Sequence, residues 1–301
     1  ILGSLGCSSL FFFNGDNYLF GLGCFMVATL GWAGSLVFYN AFLPEIATPD
    51  RFDRLSARGF TMGYIGSVLM LIFNLLLLIK HNWFGLPSPK ESVLPFQIGF
   101  LTVGIWWLAW SFWPLIKLPG KLAAKSKSSI WSGYHEIRKV FAEVRTMKSV
   151  KIFLGAFFVY TMGVQTVIYV AALFGKDVLL LKSEEMLTTI LLIQLIGIAG
   201  AYFFAFLADR IGNKAAIFVS LIIWTIACSL AFKLEPRHPE QFFALACLIG
   251  TVMGGIQSLS RATYAKLIPG DRDNTSYFSF FEVTEKLGIV LGTFAWAAID
   301  N

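Results

Sequence analysis

Histidine, cysteine and charge are all scarce in this sequence, and each shortage removes a class of function. The three histidines, His81, His135 and His238, fall in polar connections, so no His-based catalytic or metal constellation lies within the apolar stretches. Four cysteines, Cys7, Cys24, Cys228 and Cys247, sit singly in apolar runs without CxxC or Cys/His spacing. They support neither a disulfide framework nor a zinc site, and read as small packing residues. No GxxxxGK[ST] phosphate loop is present, which leaves ATP-driven work by this chain alone unsupported. A cleavable signal peptide is also missing, and the chain opens without Met inside an apolar run and stops abruptly at Asp300 and Asn301. A piece of a longer protein is expected on that ground. Charged residues make up only 14% of the chain, against about 25% in soluble domains.

Apolar residues take the vacated share, at 56% with a mean hydropathy of +0.69. They gather in eight runs of roughly 20 residues, the length at which a helix crosses about 30 Å of hydrocarbon. Spans are expected at 18–43, 60–80, 95–117, 152–174, 187–208, 215–233, 242–266 and 277–299, after the tail of a ninth at the start of the chain. The formal charge of +6 argues for lipid and orientation rather than for nucleic acid, because the bases collect in alternate connections. Arg51, Arg54 and Arg58 occupy the link 44–59; Arg210 and Lys214 the short link after 208; Arg261, Lys266 and Arg272 the link near 260–276. The long link 117–151 holds nine bases from Lys117 to Lys151. These four connections are expected in the cytoplasm, and the poorer ones between them, which include Asp16, Lys80, Lys90, Lys176, Lys182, Lys233 and Arg237, outside.

The long link separates residues 1–117, a partial N-terminal helix bundle, from residues 152–301, a partial C-terminal bundle. Leu118-Pro119-Gly120-Lys121 breaks the third span, and Lys125-Ser126-Lys127-Ser128-Ser129 is a polar linker. Ile130, Tyr134, Ile137, Phe141, Val144 and Met147 then recur at helical spacing among mainly basic neighbours. Such a helix lies on the inner membrane surface or docks on the ends of the spans. Glycines four apart, at Gly59/Gly63, Gly250/Gly254 and Gly288/Gly292, are expected to let helix backbones approach closely.

The sharpest motif is Leu207-Ala208-Asp209-Arg210-Ile211-Gly212-Asn213-Lys214 on a short basic link. An acid beside a turn suits a helix N-terminus, and the glycine permits a tight reversal. This DRxGxK pattern resembles the signature loop of the major facilitator superfamily, departing from it at Ala205, where glycine is common, and at Asn213, where a base is common. Phe38-Tyr39-Asn40-Ala41-Phe42-Leu43-Pro44, Ser56-Ala57-Arg58-Gly59-Phe60, Gly63-Tyr64-Ile65-Gly66, Gly163-Val164-Gln165-Thr166 and Gly254-Gly255-Ile256-Gln257-Ser258-Leu259-Ser260-Arg261 are similar to the vacuole-effluxer-like branch. The resemblance implies an all-α polytopic carrier with two six-helix bundles, of which this chain runs from the end of span three to span eleven. It implies a small polar solute as cargo, amino acids among the candidates, and alternating access between the bundles. It also implies that the Asp209 loop lies against the start of the span near Ala57 to Gly59. The membrane would be the plasma membrane in a bacterium or the vacuolar membrane in a fungus.

Polar groups inside the spans are candidates for the transport path, since a charge in hydrocarbon costs about 2.5–3.5 kcal/mol unless it meets water or a partner. Glu282, Glu285 and Lys286 stand in the last span. Glu282 and Lys286 form a favourable i,i+4 pair, and Arg261 is the expected partner of Glu285. A coupling role for protons and a plain interhelical salt-bridge cluster both fit. Gln165, Gln194, Gln257, Tyr39, Asn40 and Asn74 can line a cavity or bond helix to helix. Trp106, Trp107, Trp110 and Trp113 crowd one span, as in an interfacial aromatic belt. No cofactor is implied, and the expected state is a monomer in lipid. A lipid-acting membrane enzyme would need His, Asp or Ser partners at one depth, which the sequence does not offer. A channel or scaffold without a carrier cycle stays open at this point.

Overall fold

A segment that crosses hydrocarbon must satisfy its backbone N–H and C=O groups internally, and helix is the only regular structure among the described residues. The computed structural model describes residues 1–117, 130–270 and 273–300. The Pro119-Gly120 break, the polar linker through Ser129 and Arg272 lie outside the described residues. The helices are α1 (Leu2–Ser9), α2 (Tyr18–Ala41), the short α3 (Leu43–Ile46), α4 (Phe52–Ile79), α5 (Leu94–Lys117), α6 (Ile130–Thr146), α7 (Lys148–Leu173), α8 (Ser183–Ile211), α9 (Asn213–Ala231), α10 (Pro239–Leu267) and α11 (Asn274–Asp300).

Seven of these, α2, α4 and α7 with the short turns beside them and α5, α8, α9 and α10 alone, are long and apolar enough to span a membrane. α11 occupies the eighth expected position and has 27 residues, but it is not among the seven, since Glu282, Glu285 and Lys286 interrupt its apolar run. Many large apolar side chains face outward, among them Phe203, Phe206, Phe218 and Phe294. In a protein that spans lipid, that is the surface hydrocarbon covers.

Packing divides the chain into two compact units, Ile1–Phe38 with Leu69–Ser132, and Tyr39–Val68 with Gly133–Asn301. In the first, α1 lies against α5, where Gly3 leaves room for the ring of Trp107. Trp110 and Trp113 point outward, and the Lys117 ammonium sits 5.7 Å from the Trp113 ring centre. Asn74 donates 2.8 Å to the carbonyl of Met70 on its own helix.

The second unit is built on the α8–α10 pair. Gly250 and Gly254 face the backbone of α8 so closely that a Cβ would strike Ile193 and Gly197, and Gly200 meets Thr251 in the same way. Gly292 is equally tight against Thr166 and Met162 of α7, whereas Gly288 has ordinary room and Gly63 has nothing within 4 Å. The Gly59/Gly63 pair is therefore not a helix-packing pair; Gly59 alone is confined, by the side chains of Tyr39 and Arg261.

At the end of this unit that carries the basic links, an aromatic core joins α7, α10 and α11. Phe157 stacks on Phe281 at 4.2 Å, and Tyr264 on Phe281 at 4.9 Å. α6 docks on that core through buried Val140 and Val144, and the Tyr277 hydroxyl donates 2.8 Å to Glu143. Gly212, at φ +83°, makes the reversal between α8 and α9 that the motif called for.

Candidate functional site

Arg261 is the most unusual side chain of the second unit: a guanidinium on α10 that is 3% exposed. A buried cation needs acceptors and compensating charge, and the N-terminal part of α4 supplies the acceptors. Arg261 Nε donates 2.9 Å to Ser56 Oγ and Nη2 donates 2.8 Å to the Ser56 carbonyl. Ser56 Oγ in turn donates 2.7 Å to the carbonyl of Ser258. The guanidinium lies 4.7 Å from the ring centres of both Tyr39 and Phe60, a double cation–π seat. Its remaining bond, from Nη1 to Asn40 Oδ1, is 3.2 Å.

Asn40 then passes the contact on. Its Nδ2 donates 2.7 Å to Glu282 Oε1, and Glu282 Oε2 lies 3.5 Å from the Lys286 ammonium. Glu285 Oε2 is also 3.5 Å from Lys286, and its Oε1 accepts a 2.8 Å bond from Gln165. The expected pairing of Arg261 with Glu285 is thus corrected. Arg261 is turned toward α2 and α4, and Glu285 toward α7, with Asn40 and Glu282 between them. Two carboxylates and two cations form one chain of contacts whose formal charge sums to zero, which is how four ionic groups can share a mostly buried place.

One level nearer the basic links, three more groups tie α4 to the later helices. Arg54 donates from Nε and Nη2 to Asp209 Oδ2, at 2.9 and 2.8 Å, so the signature acid does meet the start of α4, one turn before Ala57. Ala57 itself packs against Ala201 and Ala205, and the alanine in place of the usual glycine is part of that contact. Asp53, only 3% exposed, accepts 2.5 Å from Lys266 and 2.6 Å from Asn213 Nδ2. Asn213 also bonds Thr263 at 3.0 Å and accepts 2.9 Å from Lys266. The carboxamide donates to an acid and accepts from a base at once, which neither lysine nor arginine can do.

The other predicted residues are placed as follows. Gln257 accepts 2.9 Å from the Tyr64 hydroxyl; Gln194 keeps a buried Oε1 without a hydrogen-bond partner; Tyr39 is about half exposed beside Arg261. Arg210 lies over the Phe206 ring at 5.0 Å, and Lys214 is exposed. Sequence reasoning missed Ser56, Asp53, Phe60, Lys266 and the 2.7 Å Tyr160–Ser260 bond as members of the site. The quoted Ser56 and Ser260 segments were the available signal. Among the described residues no cluster of His, Cys, Asp and Glu could hold a metal.

The whole chain, residues 1–301, matches the family described as vacuole effluxer Atg22 like. The chain belongs to that family. Among the relatives of this Atg22-like chain is an uncharacterized MFS-type transporter, YxiO, of Bacillus subtilis, 28% identical over 96% of this chain and 67% of its own length. Autophagy-related protein 22 of Saccharomyces cerevisiae is 26% identical over 82% of this chain and 52% of its own. Autophagy-related protein 22-1 of Penicillium rubens is 24% identical over 82% and 44%. The chain thus spans about half the length of the fungal relatives. No solved structure matches it.

Proposed function

We propose that the protein of which this chain is part is a secondary carrier, not an enzyme. It moves a small polar solute, amino acids first among the candidates, by alternating access, with protons as the coupling ion. The observation that carries the reading is the Arg261–Asn40–Glu282–Lys286–Glu285–Gln165 chain, which links the charges of α11 to the membrane-type helices α2, α7 and α10, in a family of effluxers. The basic links face the cytoplasm, and their interlock with α4 is the closed inner gate.

Two carboxylates that share one ammonium compete for it. A proton arriving on Glu285 yields Lys286 to Glu282, strengthens that pair, and weakens the claim of Glu282 on Asn40. Asn40 is the one side chain in the chain of contacts that touches both the acid cluster and the gate arginine. Its release leaves Arg261 with Ser56 as its remaining hydrogen-bonding residue, and the inner ends can part. A zwitterionic solute offers a carboxylate and an ammonium that can replace such contacts in turn. Lipid surrounds the helices, and the working unit is a monomer.

The test is uptake and efflux of a mixed labelled amino-acid pool in proteoliposomes holding the full-length parent, with and without an imposed pH gradient. Gradient-driven movement is expected, and Glu285→Gln abolishes the gradient dependence. Movement that persists with its pH response in that variant removes the coupling role. Absence of counterflow exchange would point to a channel or scaffold instead.

A further inference from the structure

The apolar face of α6 is wider than its docking site. Val140, Val144 and Met147 turn toward the core, but Tyr134 and Phe141 remain 58% and 48% exposed. Seven residues are close to two helical turns, so these two rings stand one above the other along the edge of the docked face. Arg138 and Arg145, again seven apart, flank them and are exposed, with the Arg145 guanidinium 5.4 Å from the Phe141 ring centre.

The acids of the same helix are used within the protein: Glu143 accepts from Tyr277 and Glu136 pairs with Lys139 at 3.4 Å. Just beyond the helix, Lys148 and Lys151 are exposed, followed by Ile152, 60% exposed at the start of α7. Bases, aromatic rings and bare aliphatic surface are the side chains a protein presents to the headgroup, interfacial and hydrocarbon levels of a membrane.

We propose that this edge of α6 binds the anionic headgroups of the membrane leaflet on the basic side, so that α6 tethers the adjoining ends of α7, α10 and α11 to lipid phosphate. Charge decides the occupant. The exposed ring of Arg138, Arg145, Lys148 and Lys151 complements anionic lipid, and a soluble protein helix would leave Ile152 uncovered. The inference rests on membrane insertion and is independent of the cargo.

The experiment uses the full-length parent with its native cysteines replaced and Ala142→Cys carrying an environment-sensitive fluorophore. The protein is placed in nanodiscs of brominated phosphatidylcholine, with or without phosphatidylglycerol. Quenching is expected to rise about twofold with the anionic lipid, and to lose that increment in Arg138→Glu with Arg145→Glu. Raising the salt on the unreversed protein should erase the same increment, which keeps the test intact should the reversed variant misfold. Equal quenching in both lipids, or none in either, overturns the proposal. Neither readout involves transport, so a failed carrier assay leaves this result separate.

Discussion

At the residue scale, the signature motif matters most where it departs from its pattern. Lys214 fits the pattern and is exposed, whereas Asn213 departs from it and holds Asp53, Thr263 and Lys266 together. Hydrogen bonds to charged groups contribute about 1.5–3 kcal/mol, so Asn213→Leu should lower the midpoint of thermal unfolding in detergent while Lys214→Leu leaves it unchanged. Equal losses would mean that the asparagine is only a surface residue of the turn. The sequence could announce Asp209, Gly212, Glu282 and Lys286, because motif spacing and the i,i+4 rule are local. It could not tell that Arg261 faces Ser56 and Asn40 instead of Glu285. That choice depends on the rotation of α10 relative to α2 and α4, and one of the acceptors is the Ser56 backbone carbonyl, which every residue possesses.

At the element scale, run length located every long helix, but polar ends were cut short. The apolar run of the second span starts near residue 60, yet α4 starts at Phe52. Asp53, Arg54 and Ser56 stay helical because each is tied to a later helix. α11 shows the opposite limit. Its length is legible, but its charges are held by one another and by partners on α2 and α7 that no hydropathy pattern names. Glycine spacing had the same mixed power. A Cβ on Gly254 meets the carbonyl of Gly197 and the amide of Ala201, which cannot move aside, while one on Gly63 meets open space. Gly254→Ala should therefore cost about 1–3 kcal/mol through overpacking. Gly63→Ala should be neutral or gain up to about 1 kcal/mol of helix propensity. Comparing the yield of monodisperse protein and the unfolding midpoint of the two variants checks the contrast, and a tolerated Gly254→Ala would show that the α8–α10 contact can relax.

At the scale of the whole molecule, the proposed cycle must break the ties of α4 to the later helices each time the inner side opens, and their strengths are unequal. Arg54 is 71% exposed in its pair with Asp209, while Asp53 is 4% exposed in its pair with Lys266. An exposed ion pair contributes up to about 1 kcal/mol, but stripping one partner from a buried pair costs about 3–5 kcal/mol, less here because Lys266 keeps some solvent. In the proposed cycle, then, the signature acid is the weak tie of the gate and Asp53 the strong one. A reporter at Ser258, fully buried beneath Ser56, reads this directly. With the native cysteines replaced, Ser258→Cys should resist a thiol reagent supplied from the inner side. Adding Asp209→Ala should raise its labelling rate by up to about fivefold, and the exchange Arg54→Asp with Asp209→Arg should restore protection. Asp53→Ala should raise the rate about tenfold or more. If Asp209→Ala opens the gate further than Asp53→Ala does, the buried pair is not the main bolt, and the exposed acid acts through contacts beyond Arg54.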